Sequence, residues 1–360
     1  MTGPDDEMTA ALVRTLRHHA EEAPSADGLP EQAMAVAARR RRRRVHASIA
    51  AIVVLVVAIP VAVMAAVRGD DSQPAAEDPA WRWESYEDAQ VRVPADWTWT
   101  TGGPAHSWCQ GVSKYQPRPG LVGRPGPVAT VGCVPEWGYP PADQRTNWLS
   151  FNSTDKVGVH GFDQGWVEET RLVGNVFVTL FTNEDTLRAA IFRTARPIVG
   201  VDHNGCPAQH QVIADPRGYR PAEGGLPPAG AVESISVCRY ALPSNSAGPA
   251  NGGHPLLASG RITGEDAKKI VTAILAAPEG VGPDVEGASP GDTGTEIAVL
   301  RIETTDGARE VVVRYAGESG NSFDDGQAKH RLTADAIRPL LTGATLPGQF
   351  YLPVAPLFDE

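Results

Sequence analysis

The longest apolar run in the chain is residues 48–67, SIAAIVVLVVAIPVAVMAAV, twenty residues without a charge. At 1.5 Å per residue such a helix spans about 30 Å, the thickness of a bilayer's hydrocarbon core. A helix packed in a soluble core shows a polar face, whereas this run offers only Ser48 at its edge. Pro60 would break a helix in water, but a membrane helix accommodates it as a kink. The pattern predicts one transmembrane helix over residues 48–67.

Before it, Met8, Leu12, Val13 and Leu16 make one apolar stripe, and a Pro24–Pro30 break separates this stretch from a second helix-forming run. After it, residues 68–80 form a polar spacer, and the patterns become short and mixed. Residues 90–94 (QVRVP) alternate as a strand, Trp97 and Trp99 alternate again, and residues 100–147 are Gly- and Pro-rich loop. Further strands are expected in LSFNS, at Trp166-Val-Glu and in residues 175–181. A helix follows over 184–195, capped by Asn183, with Leu187, Ile191 and Ala195 on one face.

Residues 231–240 (AVESISVCRY) read as a strand, and residues 264–277 as a helix capped by Thr263 with Asp266 three residues on. EIAVLRIET and REVVVRYA flank Thr305-Asp306-Gly307-Ala308, a hairpin signal because Asp-Gly supplies positive φ. Thr333 caps a last helix, ADAIRPLL. No repeat is visible. Strands interleaved with single helices predict an α+β fold in two parts, residues 81–200 and 201–360, behind the tail of residues 1–47, the span and the spacer.

Charge orients the span. Arg39, Arg40, Arg41, Arg42, Arg43 and Arg44 precede it, while Arg68 is followed by Asp70 and Asp71. Positive flanks stay in the cytoplasm, so the N-terminus is inside and the C-terminal part is extracytoplasmic. A cleaved signal peptide would need an n-region of over forty residues, which favours an uncleaved signal anchor in the cell membrane. The arginine run then meets anionic headgroups, so the bilayer itself is the first partner. Residues 1–47 carry 8 Arg and 7 acidic residues, and the remainder 24 basic and 36 acidic residues. An acidic exported part gives no reason to expect nucleic acid.

All four cysteines, Cys109, Cys133, Cys206 and Cys238, fall in the exported part. An even count on the oxidising side predicts two disulfides, with three connectivities open. Sequential pairing closes the shortest loops. A metal site is the rival, but no Cys-x-x-Cys and no paired His accompany them, so no metal and no cofactor is expected.

No catalytic constellation emerges either, and the chain is expected not to be an enzyme. Asp202, His203 and His210 bracket Cys206, yet their spacing is not that of a zinc site, and an exported Cys is expected to be oxidised. Asp324-Asp325-Gly326 lacks the further oxygen ligands of a calcium loop and is expected to be a surface turn. The eight tryptophans all lie between residues 81 and 166. Trp81 with Trp83, and Trp97 with Trp99, sit at period 2 and would each share a strand face. Exposed, they would stack on sugar rings or peptide of an envelope polymer. Buried, they would supply core, which is the commoner fate of large aromatics.

The segment LRHHAEEAP, a Pro/Gly break, the arginine run, one span and an exported domain together resemble bitopic envelope proteins of actinobacteria, many of them encoded beside alternative sigma factors. The resemblance covers roughly the first 70 residues. It implies that residues 1–47 contact a cytoplasmic regulatory protein in an anti-sigma-like way. The tail has no cysteine, so it departs from zinc-type anti-sigma factors, which carry a Cys-x-x-Cys. VRVPADW and the later strand–helix unit are similar to small PsbP-like domains of bacterial lipoproteins. The expected function is extracytoplasmic sensing or binding linked to a transcriptional partner. The alternatives are an anchored envelope-binding module without signalling and, third, an exported hydrolase.

Overall fold

The computed structural model describes residues 80–101, 119–125, 142, 145–222, 224–243, 255–287, 294–347 and 353–358. The expected tail helices, Arg39 to Arg44, the span over 48–67, most of the spacer, and Cys109 and Cys133 lie outside the described residues. Among the described residues, no helix is long and apolar enough to cross a membrane. The architecture is α+β, with sheets far outweighing helices.

The first part contains β1 (Trp81–Tyr86), β2 (Ala89–Pro94), β3 (Thr98–Thr101), β4 (Leu121–Arg124), β5 (Trp148–Phe151), β6 (Gly158–Gly161), β7 (Val167–Val173), β8 (Val176–Thr182), helix α1 (Asp185–Thr194) and β9 (Arg196–Pro197). Six of these strands form one sheet in the order β3-β4-β5-β8-β7-β6, and β1-β2-β9 form a second. Alternation decides what lies between the sheets. Tyr86, Ala89, Val91 and Val93 point from the small sheet onto Val122, Leu149, Phe151, Val178 and Leu180 of the large one. Ile191 and Phe192 of α1 close this core. Leu121, Trp148 and Phe181, at alternate positions of the large sheet, form a smaller cluster with Trp166, which immediately precedes β7.

The second part contains β10 (Val232–Ala241), β11 (Leu256–Thr263), α2 (Gly264–Ala276), β12 (Glu296–Thr304), β13 (Gly307–Arg314), β14 (Ser322–Asp324), β15 (Lys329–His330) and α3 (Ala334–Ile337). Its strands run β11-β10-β12-β13-β14-β15, every pair antiparallel. Both faces of this sheet are covered, which is why its central strands are nearly continuous in apolar residues. Ile235, Val237, Ala298, Leu300, Ile302, Val311 and Val313 meet Ala267, Ile270, Val271 and Ile274, the helical stripe of α2. On the opposite face Cys238, Tyr240, Ile297, Val299 and Val312 are covered by Cys206 and Val212. The Cys206–Cys238 disulfide links that covering segment to β10.

Several local expectations change. Asn183 does not cap α1: the cap position is Glu184, whose N–H bonds to Thr182 Oγ1 instead (3.1 Å). Thr263 and Thr333 occupy cap positions without a side-chain cap bond. In the β12–β13 hairpin Thr304 pairs with Gly307, so the turn is Thr305–Asp306 and the positive φ (115°) belongs to Gly307. The loop-rich stretch after Trp99 contains β4, which runs parallel to both β3 and β5.

Candidate functional site

The four tryptophans singled out from the sequence do not converge. Trp97 precedes β3, so period 2 does not tie it to Trp99; it is buried in the first core, 2% exposed. Trp99 keeps 37% of its surface open. Its ring lies under the Arg82 guanidinium (4.1 Å), and its Nε1 donates to Glu84 Oε1 (2.8 Å). Glu84 is fully buried on β1, and Arg82 (2.6 Å) and Arg124 (2.5 Å) also hold its carboxylate. Three donors satisfy one buried charge, so this group is structural. Trp81 is half-buried and packs on the same core.

Trp83 differs. Its cross-strand neighbour is Arg92, and Gln90, two residues from Arg92, pairs with Arg196 of β9. Directly paired residues share a sheet face, so Trp83, Arg92 and Arg196 project to the same side. The Arg196 guanidinium lies 4.6 Å from the Trp83 ring centre and that of Arg92 5.9 Å. His203 stacks on the same indole, centroids 5.1 Å apart and planes 24° apart. A guanidinium resting over an indole face can still offer its N–H groups to an oxyanion. Arg193 adds a further exposed cation in the last turn of α1, where the helix dipole favours it. Neither Arg193 nor Arg196 has an ion-pair partner among the described residues.

The loop from Arg196 to His203 is held at both ends. Ile198 N–H donates to Asp88 O (2.7 Å), and His203 N–H to the buried Gln90 Oε1 (2.9 Å). Asp202, also buried, turns the chain: Oδ1 accepts from Cys206 N–H (2.7 Å) and Oδ2 from the Ser259 hydroxyl. Asn204 Nδ2 reaches Ser259 Oγ as well (2.9 Å). Between these anchors Val199 and Val201 bridge across Gly200, whose φ of 74° suits glycine. Val199 is 85% exposed and Val201 45%.

Other polar clusters bind the second part to itself. His210 accepts Val212 N–H at Nδ1 (3.1 Å), so the proton sits on Nε2, which faces Glu310 (3.5 Å). Tyr219 OH also donates to Glu310 (3.1 Å), and Arg301 lies 3.8 Å away. The bond from His210 holds the Glu310 carboxyl below its ordinary range, against the upward pull of burial. The expected surface turn at Asp324-Asp325-Gly326 is buried instead. Asp324 is clamped by Arg220 (2.8 Å) and Arg314 (3.4 Å), and Asp325 Oδ1 accepts from Gln327 N–H (2.9 Å) and Ala328 N–H (2.6 Å).

Cys206 is oxidised, so it is neither nucleophile nor ligand, and His203 and His210 point to separate clusters. Among the described residues, no three His, Cys, Asp or Glu side chains converge on a metal position. A groove of about 880 Å³ runs between α2 and α3, floored by Ile270, Ala273 and Ala334. The lysines on its rim are already paired, Lys268 with Glu265 and Lys269 with Asp266. The Trp83 platform is the stronger candidate binding site. Its partners Arg196 and His203 were not singled out with it from the sequence, because nothing local ties β1 to a loop more than a hundred residues later. No family model, curated protein or solved structure matches the chain.

Proposed function

We propose that the chain is a single-pass membrane protein whose exported domain binds an anionic component of the cell envelope and reports it to a cytoplasmic partner. Residues 48–67 span the membrane, residues 1–47 dock the partner, and no reaction is catalysed. The observation that carries the binding role is the Trp83 platform, where the exposed Arg196 guanidinium lies 4.6 Å over the indole on the outer face of a small sheet in an otherwise acidic chain. Contact with the ring restrains the Arg196 guanidinium in advance, which lowers the entropy lost when it grips a ligand. The likeness of the first 70 or so residues to bitopic proteins encoded beside sigma factors supports an anti-sigma-like role for the tail.

The test compares full-length protein with a variant lacking residues 1–47, each isolated from cells in detergent. A cytoplasmic protein that co-purifies only with the full chain supports the regulatory role. Equal recovery from both sinks it and leaves an anchored envelope-binding module without signalling.

A further inference from the structure

We propose that the loop from Arg196 to His203 is a membrane-contact finger that seats on an anionic phospholipid surface. This rests on the reading of the Trp83 platform as a binding surface and names its ligand.

The loop leaves Trp83 at Arg196 and returns to Trp83 at His203, so its tip and its cations form one continuous feature. The tip is apolar: Val199, 85% exposed, is the most exposed of the large apolar side chains described, and Val201 is 45% exposed. Arg196 begins the loop and the exposed Arg193 lies three residues before it, while the one carboxylate in the loop, Asp202, is turned inward and buried. A soluble anionic polymer would satisfy the arginines and leave the valines in water. A bilayer interface offers phosphates to the arginines and an apolar layer beneath them to the valines, which is the split an interfacial segment needs. Rigid mounting favours the same use, because the backbone bonds at Ile198 and His203 leave little loop entropy to lose on contact.

Reach is sufficient. The spacer of residues 68–80 covers at most roughly 45 Å when extended, so β1, which carries Trp83, starts within that distance of the proposed span.

The experiment reconstitutes the full chain into vesicles of zwitterionic phosphatidylcholine alone, or of phosphatidylcholine mixed with phosphatidylglycerol, and measures backbone hydrogen exchange. The finger predicts exchange at residues 199–203 about tenfold slower in the anionic vesicles. That protection disappears in Arg196→Glu and in Val199→Ser, while exchange in α2 is unchanged in both. Equal exchange in the two lipid compositions overturns the proposal. Soluble polyglycerol phosphate that protects the same residues without a bilayer also overturns it, while leaving the platform as an anion site. Extraction with alkaline carbonate reads the anchor separately. If the chain washes off, the span over 48–67 is wrong, and the finger is then scored by flotation with anionic vesicles, which Arg196→Glu must abolish.

Discussion

Trp83 on β1 and His203 in the loop after β9 stack at 5.1 Å, and Gln90 on β2 accepts the His203 backbone N–H at 2.9 Å. This aromatic contact and hydrogen bond, with the bond from Ile198 N–H to Asp88 O, join the small sheet of the first part to the segment that the disulfide fixes on the second. Removing the ring should free that segment without dismantling either core. Trp83→Ala is expected to cost about 2 kcal/mol, less than the 3–5 typical of a fully buried aromatic because Trp83 is half-buried. Hydrogen exchange at residues 199–203 should rise while β10 and β12 stay protected. Uniform loss of protection would mean that the stack supports the whole unit.

Asp324 governs the acid side of stability. Burial alone would raise its pKa, but the bonds from Arg220 and Gly326 N–H, with the charges of Arg220 and Arg314, hold it below the usual range. A depressed pKa means that the ionised form stabilises the fold. That contribution is complete above the ordinary value of about 3.9 and is lost as pH falls below it. Asp324→Asn should therefore cost about 3 kcal/mol at neutral pH, since Arg314 stays buried without its counter-charge. Urea denaturation at stepped pH should show the gap between wild type and variant closing toward acid. A gap independent of pH would contradict the assignment.

The alkaline limb has its own reporter in Tyr219. Burial first, then the charge of Glu310 and the hydrogen bond to it, push the phenol up to about 12. A raised pKa means that the protonated form stabilises the fold. The contribution is present below about 10 and is lost as pH rises toward 12. Replacing the carboxylate in Glu310→Gln should move the Tyr219 titration, followed by NMR of its ring, back toward 10 without reaching it, because burial remains. An unmoved titration would remove Glu310 from the cause.

The elements most legible in the sequence are those whose burial is written locally. β10, β12 and β13 show as apolar runs because helices cover one face and the disulfide-linked segment the other. α2 shows because its buried positions repeat at helical spacing. β6 is a four-residue edge strand exposed at every position, so it carries no pattern to read. β4 is equally short, and its parallel partners lie across Gly- and Pro-rich chain. The same reason hides the candidate site. Trp83 is conspicuous in the sequence, but the residues that give it a role reach it through β9 and a loop held by Asp202. The buried fate of Asp324 is hidden likewise, because its clamp residue Arg220 comes from a distant loop.

The Cys206–Cys238 bridge closes a loop with a sequence separation of 32, and denying the unfolded chain that cross-link corresponds to about 3–4 kcal/mol. The paired Cys206→Ser and Cys238→Ser variant should lose that much in thermal or urea denaturation, with the segment around Val212 opening first. Mass spectrometry of unreduced peptides should recover Cys206 joined to Cys238. A link from either to Cys109 or Cys133 would refute the pairing.

Gly120 sets how closely the chain before β4 approaches the core. A methyl group built there would overlap the indole of Trp97, itself only 2% exposed, and its nearest neighbours are atoms of the ring system rather than the end of a flexible chain. The ring cannot retreat, because Val91, Val93 and Val122 belong to the same cluster of buried side chains. Gly120→Ala should therefore cost about 1–3 kcal/mol, the usual range for overpacking, although alanine is otherwise a mild change in a loop. The backbone bond from Thr98 N–H to Gly120 O (2.9 Å) should weaken with it, since β3 must move to make room. Thermal denaturation gives the size of the loss. The double variant Gly120→Ala with Trp97→Phe identifies its cause: the smaller ring should recover part of the stability lost to the methyl group. If the double variant is no more stable than the two losses added together, the clash with Trp97 is not what makes glycine necessary at this position.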